Sequence, residues 1–98
     1  MNLELLLDFG PELLESMNKV LEKGLEKDGR YRAQWKIDGD EVYHAKKAIS
    51  HIGFGLAEGI DKDSGEHHFI SGMVRLAMGH FHYKERIKSE KGKEKDDE

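Results

Sequence analysis

Between Leu56 and Ile70 the sequence LAEGIDKDSGEHHFI gathers Glu58, Asp61, Asp63, Glu66, His67 and His68 around Ser64 and Gly65. Glu58 and Asp61 follow an E-x-x-D spacing, one helical turn apart, so both carboxylates can reach one hard cation. Magnesium takes one or two carboxylates and completes its shell with water and substrate phosphates. Glu58, Asp61 and His68 therefore form a candidate metal set for Mg²⁺, with Mn²⁺ as its substitute. His51 on the preceding helix can orient these groups or join them around a softer ion. The competing structural reading makes Asp63, Ser64 and Gly65 a turn and a helix cap that need no ligand.

Other chemistries fit less well. DKDSG opens like a calcium loop, but position twelve counted from Asp61 is Gly72, where a bidentate Glu is required. No adjacent His-Asp pair exists for an HD-type phosphohydrolase. Ser64 has no nucleophile elbow around it, and the P-loop and dinucleotide fingerprints are absent.

The elements that must position these residues are helices. Gly10-Pro11 with Glu12 and Glu15 marks a helix start. Leu13, Leu14, Met17, Val20 and Leu21 recur at helical spacing, and Gly24 is the expected stop. Residues 25–39 read as a charged loop with at most one helical turn. Asp38 or Asp40 caps a second helix whose core stripe is Val42, Ala45, Ile49, Ile52 and Leu56. Asp63 or Ser64 caps a third, with Phe69, Ile70, Met73, Leu76, Ala77 and Phe81 facing the core.

A second stripe runs along each of the last two helices. His44, Ala48, His51, Gly55 and Glu58 alternate spacings of four and three, and so do His68, Gly72, Arg75, Gly79 and His82. Residues so spaced share one helix face. The small residues permit close approach, while the polar ones converge between the helices. A hairpin through GIDKDS pairs Glu58 with His68, His51 with Arg75 and His44 with His82.

The loop contributes Lys23, Lys27, Arg30, Arg32 and Lys36 around Tyr31 and Trp35. Such a mixture can hold phosphates and stack on a base. Lys27, Arg30 and Arg75 are the candidate phosphate-binding residues, and Trp35 and Tyr31 the candidate base-stacking ones. The alternative for Trp35 is packing on the helices.

Composition bounds these readings. A single domain of 98 residues buries about 60–65% of its unfolded surface. With 37% hydrophobic and 37% charged residues its own core is modest, so assembly into a homo-oligomer is expected. A formal net charge of −4 gives no reason to seek a nucleic-acid polymer. Without cysteine, any metal ligand is oxygen or imidazole. MNLELLLDFG lacks a basic n-region, and no apolar run reaches the ~20 residues of a membrane span. A soluble, intracellular protein without membrane partners is expected. The domain spans 1–87, and 88–98 form a charged tail too polar to order itself. The fold class is all-α: three main helices, the last two an antiparallel hairpin.

The order VLEKGLEKDGRYRAQW, YHAKKAISHI, AEGIDKDSGEHHFISGMVRLAM resembles the phage-type domain found at the N-terminus of dATP/dGTP diphosphohydrolases, a relative of MazG-like all-α nucleotide pyrophosphohydrolases. The matching positions are Gly24, Lys27, Trp35, Tyr43, Ala45 or Ala48, His51, Glu58, Asp61, Ser64, Gly65 and His68, within residues 20–78. Ser50 and Ser71 depart from the family's pattern, and its paired E-x-x-E and E-x-x-D metal motif is not reproduced.

The resemblance implies a phage- or bacterium-encoded cytoplasmic enzyme. It would cleave a purine dNTP to monophosphate and pyrophosphate with Mg²⁺. Glu58 and His51 would be its catalytic residues, the ion would sit on Glu58 and Asp61, and Arg75 would stabilise the leaving pyrophosphate. The alternatives are a nucleotide-sequestering phage protein without turnover and a helical oligomeric interaction module.

Overall fold

The computed structural model describes residues 3–28 and 34–96. Among them the chain is helical without strands. A short α1 (Glu4–Leu7) precedes α2 (Glu12–Asp28), a 3₁₀ turn (Gln34–Lys36), α3 (Glu41–Ala57) and α4 (His68–Asp96).

Local chemistry explains most boundaries. Gly10 turns the chain at φ 80°, and Pro11 then offers its carbonyl to the Glu15 amide. Glu12 and Glu15 occupy the first turn of α2, where carboxylates complement the helix dipole. Gly24 does not stop this helix, which continues to Asp28. The residue is not among the glycines of positive φ, and a mid-helix glycine costs only about 1 kcal/mol relative to alanine.

Asp40, and not Asp38, caps α3: its side chain accepts from the Tyr43 amide at 2.8 Å. Gly59, at φ 83°, takes the left-handed conformation just past the end of α3. The α4 cap differs from the expectation. The helix begins at His68, beyond Asp63 and Ser64, and the His67 ring nitrogen Nδ1 accepts from the Phe69 amide at 3.1 Å. Asp63 and Ser64 are consumed by the turn instead. The Asp63 amide donates to Asp61 Oδ1, and Ser64 Oγ accepts from the Glu66 amide.

The face that α3 and α4 bury also differs from the expectation. The apolar stripe of α3 is outside, with Ile49 68% and Leu56 79% exposed, and on α4 Phe69, Met73 and Leu76 are exposed too. Inside lie His44, Ala48 and Gly55 from α3, with His68, Ser71, Gly72, Val74 and Met78 from α4. Close backbone approach decides this arrangement. A Cβ on Gly72 would lie 3.5 Å from the Ala48 carbonyl oxygen, and one on Gly79 3.5 Å from the Glu41 carbonyl oxygen. At Gly55 it would fall 2.5 Å from the Phe69 ring, which would have to move to admit a side chain. The small residues thus set the packed face, and the large apolar ones remain on the surface of the single chain.

Helix α2 and the 3₁₀ turn pack against α4. The Trp35 ring meets Phe81 edge-on at a centroid separation of 5.1 Å, and the Trp35 carbonyl accepts from His82 Nε2 at 2.8 Å. No described helix is long and apolar enough to cross a membrane.

Candidate functional site

An open cleft of about 970 Å³ runs between α2, the 3₁₀ turn and the inner face of α3 and α4. Trp35, His44, His51, Asp61, Ser71 and Arg75 are among its lining residues. At one end His51, Asp61 and His68 each offer a ligand atom, and the three atoms lie within 4.8 Å of one another.

Each member is aimed by a separate local device. His51 projects from α3 on the buried stripe. Asp61 sits in a loop closed by the Ile60–His67 bridge, and its amide donates to the Glu66 carbonyl at 2.8 Å. Because Asp61 Oδ1 already accepts from the Asp63 amide at 2.9 Å, Oδ2 is the oxygen left to face His68, at 3.7 Å from Nδ1. His68 is buried in the first turn of α4, and its Nδ1 lies 3.2 Å from His51 Nδ1. Its other nitrogen, Nε2, lies 3.3 Å from Glu58 Oε2.

A carboxylate oxygen only accepts, so a singly protonated His68 carries its proton on Nε2, toward Glu58. The Nδ1 lone pair is thereby directed at His51 and Asp61. His51 is held below its ordinary pKa, chiefly by burial and then by neighbouring His68, so its neutral, ligating form is favoured.

A second polar centre lies further along the same helices. His44, 1% exposed, donates from Nε2 to the Asp38 carbonyl at 3.2 Å and accepts from Arg75 Nη1 at Nδ1, 3.3 Å away. It stacks on His82 with centroids 5.1 Å apart. Burial is the main cause that lowers the His44 pKa, with Arg75 and His82 adding to it. Arg75 also lies over the Tyr43 ring at 5.9 Å, and no described carboxylate forms an ion pair with it. A guanidinium partnered only by a neutral ring keeps donors available for an anion.

Of the expected cross-helix pairs, Glu58 with His68 and His44 with His82 are observed. His51 turns to His68, while Arg75 bonds His44. Glu58 approaches His68 from the side away from Asp61, so it stands behind the cluster where it had been expected within it. Trp35 lines the cleft while packing on Phe81. Lys27 lies in the last turn of α2; its side chain, Arg30 and Tyr31 fall outside the described residues. Sequence reasoning left His44 and His67 without roles. The four-three stripe was a signal for His44, but none existed for a histidine cap.

The donor set can be compared with the expected ion. Mg²⁺ prefers oxygen donors in an octahedral shell, whereas this cluster supplies two imidazole nitrogens and one carboxylate. These residues do not fit Mg²⁺. No protein-family model, curated protein or solved structure matches the chain.

Proposed function

We propose that this chain binds a nucleotide in the cleft and, with a divalent ion at its His-Asp cluster, hydrolyses it to a monophosphate and pyrophosphate. One observation carries the reading: His51 and Asp61 of the cluster line the same cleft as Arg75, which has no carboxylate partner among the described residues. A cation and a guanidinium that no described carboxylate neutralises suit a polyphosphate. Arg75 would neutralise phosphate charge, and His44 would hold its guanidinium in position. Glu58, which accepts from His68 Nε2, would hold that ring with Nδ1 turned toward the ion. A nucleotide, and a purine deoxynucleoside triphosphate in particular, follows from the sequence resemblance alone, as does a cytoplasmic phage or bacterial setting.

Pure protein is to be incubated with each dNTP and a divalent ion, and pyrophosphate measured against Glu58→Gln and Arg75→Met controls. Release above both controls is expected. No release together with a nucleotide-dependent rise in Tm points to a binding protein without turnover. No release and no rise removes the nucleotide reading.

A second feature of the reading rests on the outward apolar row Ile49, Ile52 and Leu56 with Phe69, Met73 and Leu76. Only Ala48, Val74 and Met78 are buried apolar side chains among the described residues. We infer that α3 and α4, as an antiparallel hairpin, present this row to further copies of the chain in a homo-oligomer.

A further inference from the structure

The geometry points to a transition-metal centre in which His51 Nδ1, Asp61 Oδ2 and His68 Nδ1 are the ligands and Glu58 is a positioning residue behind His68. This assignment deepens the proposed function and rests on its metal cluster, though not on nucleotide turnover.

Three observations support it. First, the cluster turns potential ligand atoms toward one another. With the His68 proton held on Nε2 by Glu58, Nδ1 of His68 is an acceptor, and it faces His51 Nδ1 and the Asp61 carboxylate. One proton on His51 can bridge the two rings, but nothing then lies between His68 Nδ1 and Asp61 Oδ2. A cation placed among the three atoms satisfies every lone pair at once.

Second, the spacings suit such an ion. Bonds of about 2.0–2.1 Å in a tetrahedral shell set ligand atoms about 3.3 Å apart. The observed separations from His68 Nδ1 are 3.2 Å to His51 and 3.7 Å to Asp61. All three atoms lie within 4.8 Å of one another, and a shift of the Asp61 carboxylate toward the two rings would complete the set.

Third, the surroundings repeat the carboxylate–histidine–metal arrangement by which proteins orient a ligating ring and raise its basicity. Glu58 supplies that carboxylate at 3.3 Å. Two imidazoles and one carboxylate suit Zn²⁺, Co²⁺, Fe²⁺ or Mn²⁺ far better than Mg²⁺. With three protein ligands, and with His51 and Asp61 lining the cleft, a coordination position remains for water or a ligand oxygen.

The test is a titration of the untagged full chain, free of nucleotide, with Zn²⁺ and Mg²⁺ by calorimetry and with Co²⁺ by visible absorption. One ion per chain is expected, with Zn²⁺ and Co²⁺ bound at least about 100-fold more tightly than Mg²⁺. His51→Ala and Asp61→Asn should each abolish the Co²⁺ spectrum. Glu58→Gln should weaken binding about 10–100-fold. His80→Ala, on an exposed part of α4, should change nothing.

Mg²⁺ bound within tenfold of Co²⁺, or a Co²⁺ spectrum that survives His51→Ala and Asp61→Asn, would overturn the assignment. Circular dichroism checks that each variant is folded. If the ligand variants unfold, Glu58→Gln decides, and unchanged affinity there removes Glu58 from its positioning role and the assignment with it. Tight Zn²⁺ binding without nucleotide turnover leaves the centre standing and removes only the hydrolase. Turnover with an Mg²⁺-selective site does the reverse.

Discussion

His44 holds Arg75 through a hydrogen bond from a cation to a neutral imidazole, Nη1 to Nδ1 at 3.3 Å, inside the helix pair. This bond exists only while His44 is unprotonated, because an imidazolium has no acceptor. Asp38 takes the proton on the other ring nitrogen through its carbonyl, so the tautomer is fixed from both sides.

Stability should therefore fall in mild acid. The folded-state pKa of His44 lies below the ordinary 6.5, so below that pH the unfolded chain binds a proton that the folded chain refuses. Protonation would also set a second cation beside Arg75. Folding free energy from urea unfolding should decline between about pH 7.5 and 5.5. His44→Gln, which can donate to Asp38 and accept from Arg75, should flatten that slope.

Two glycines of α3 should respond oppositely to alanine. Gly55→Ala forces a methyl against the Phe69 ring and should cost about 1–3 kcal/mol in urea unfolding. Gly53 has nothing within 4 Å of its Cβ position, so Gly53→Ala should stabilise by about 0.5–1 kcal/mol. Equal effects at the two sites would contradict the close crossing of the helices.

Asp40→Ala removes the one side-chain cap of α3 seen in the structure. The loss should be about 1 kcal/mol, read as a lower Tm by circular dichroism. Asp40→Asn should recover most of it. Alanine at Ser64, which caps no helix, should have a smaller effect.

The outward apolar row predicts assembly. Light scattering should give a mass well above the 11.2 kDa of one chain. Ile49→Glu should shift it toward the monomer, since a charge at the centre of an apolar contact is costly to bury. A wild-type chain that is monomeric at high concentration would remove the oligomer reading.

The helices were legible because the periodicity and the Asp40 cap are local signals. Which face points inward was not. Hydrophobicity ranked Ile49 and Leu56 as core, but the closest helix contact is made where side chains are small, and Gly55, Gly72 and Gly79 mark that line. The four-three stripe carried the correct face, and with it the convergence of His51 and His68. The E-x-x-D reading of Glu58 and Asp61 assumes a continuous helix through Asp61. Gly59 breaks α3 first, which turns Glu58 and Asp61 to opposite sides of His68. The His67 cap depends on a ring rotamer that sequence does not encode.

The two walls of the cleft are drawn from different stretches of the chain. His51, Asp61 and His68 come from the end of α3, one short loop and the start of α4, whereas α2 and the 3₁₀ turn supply the opposing wall. Substitutions at Leu21, Leu25 or Trp35 can thus reshape the cleft without touching His51, Asp61 or His68. Under the proposed function, selectivity and metal affinity would then be free to evolve at separate positions of one chain.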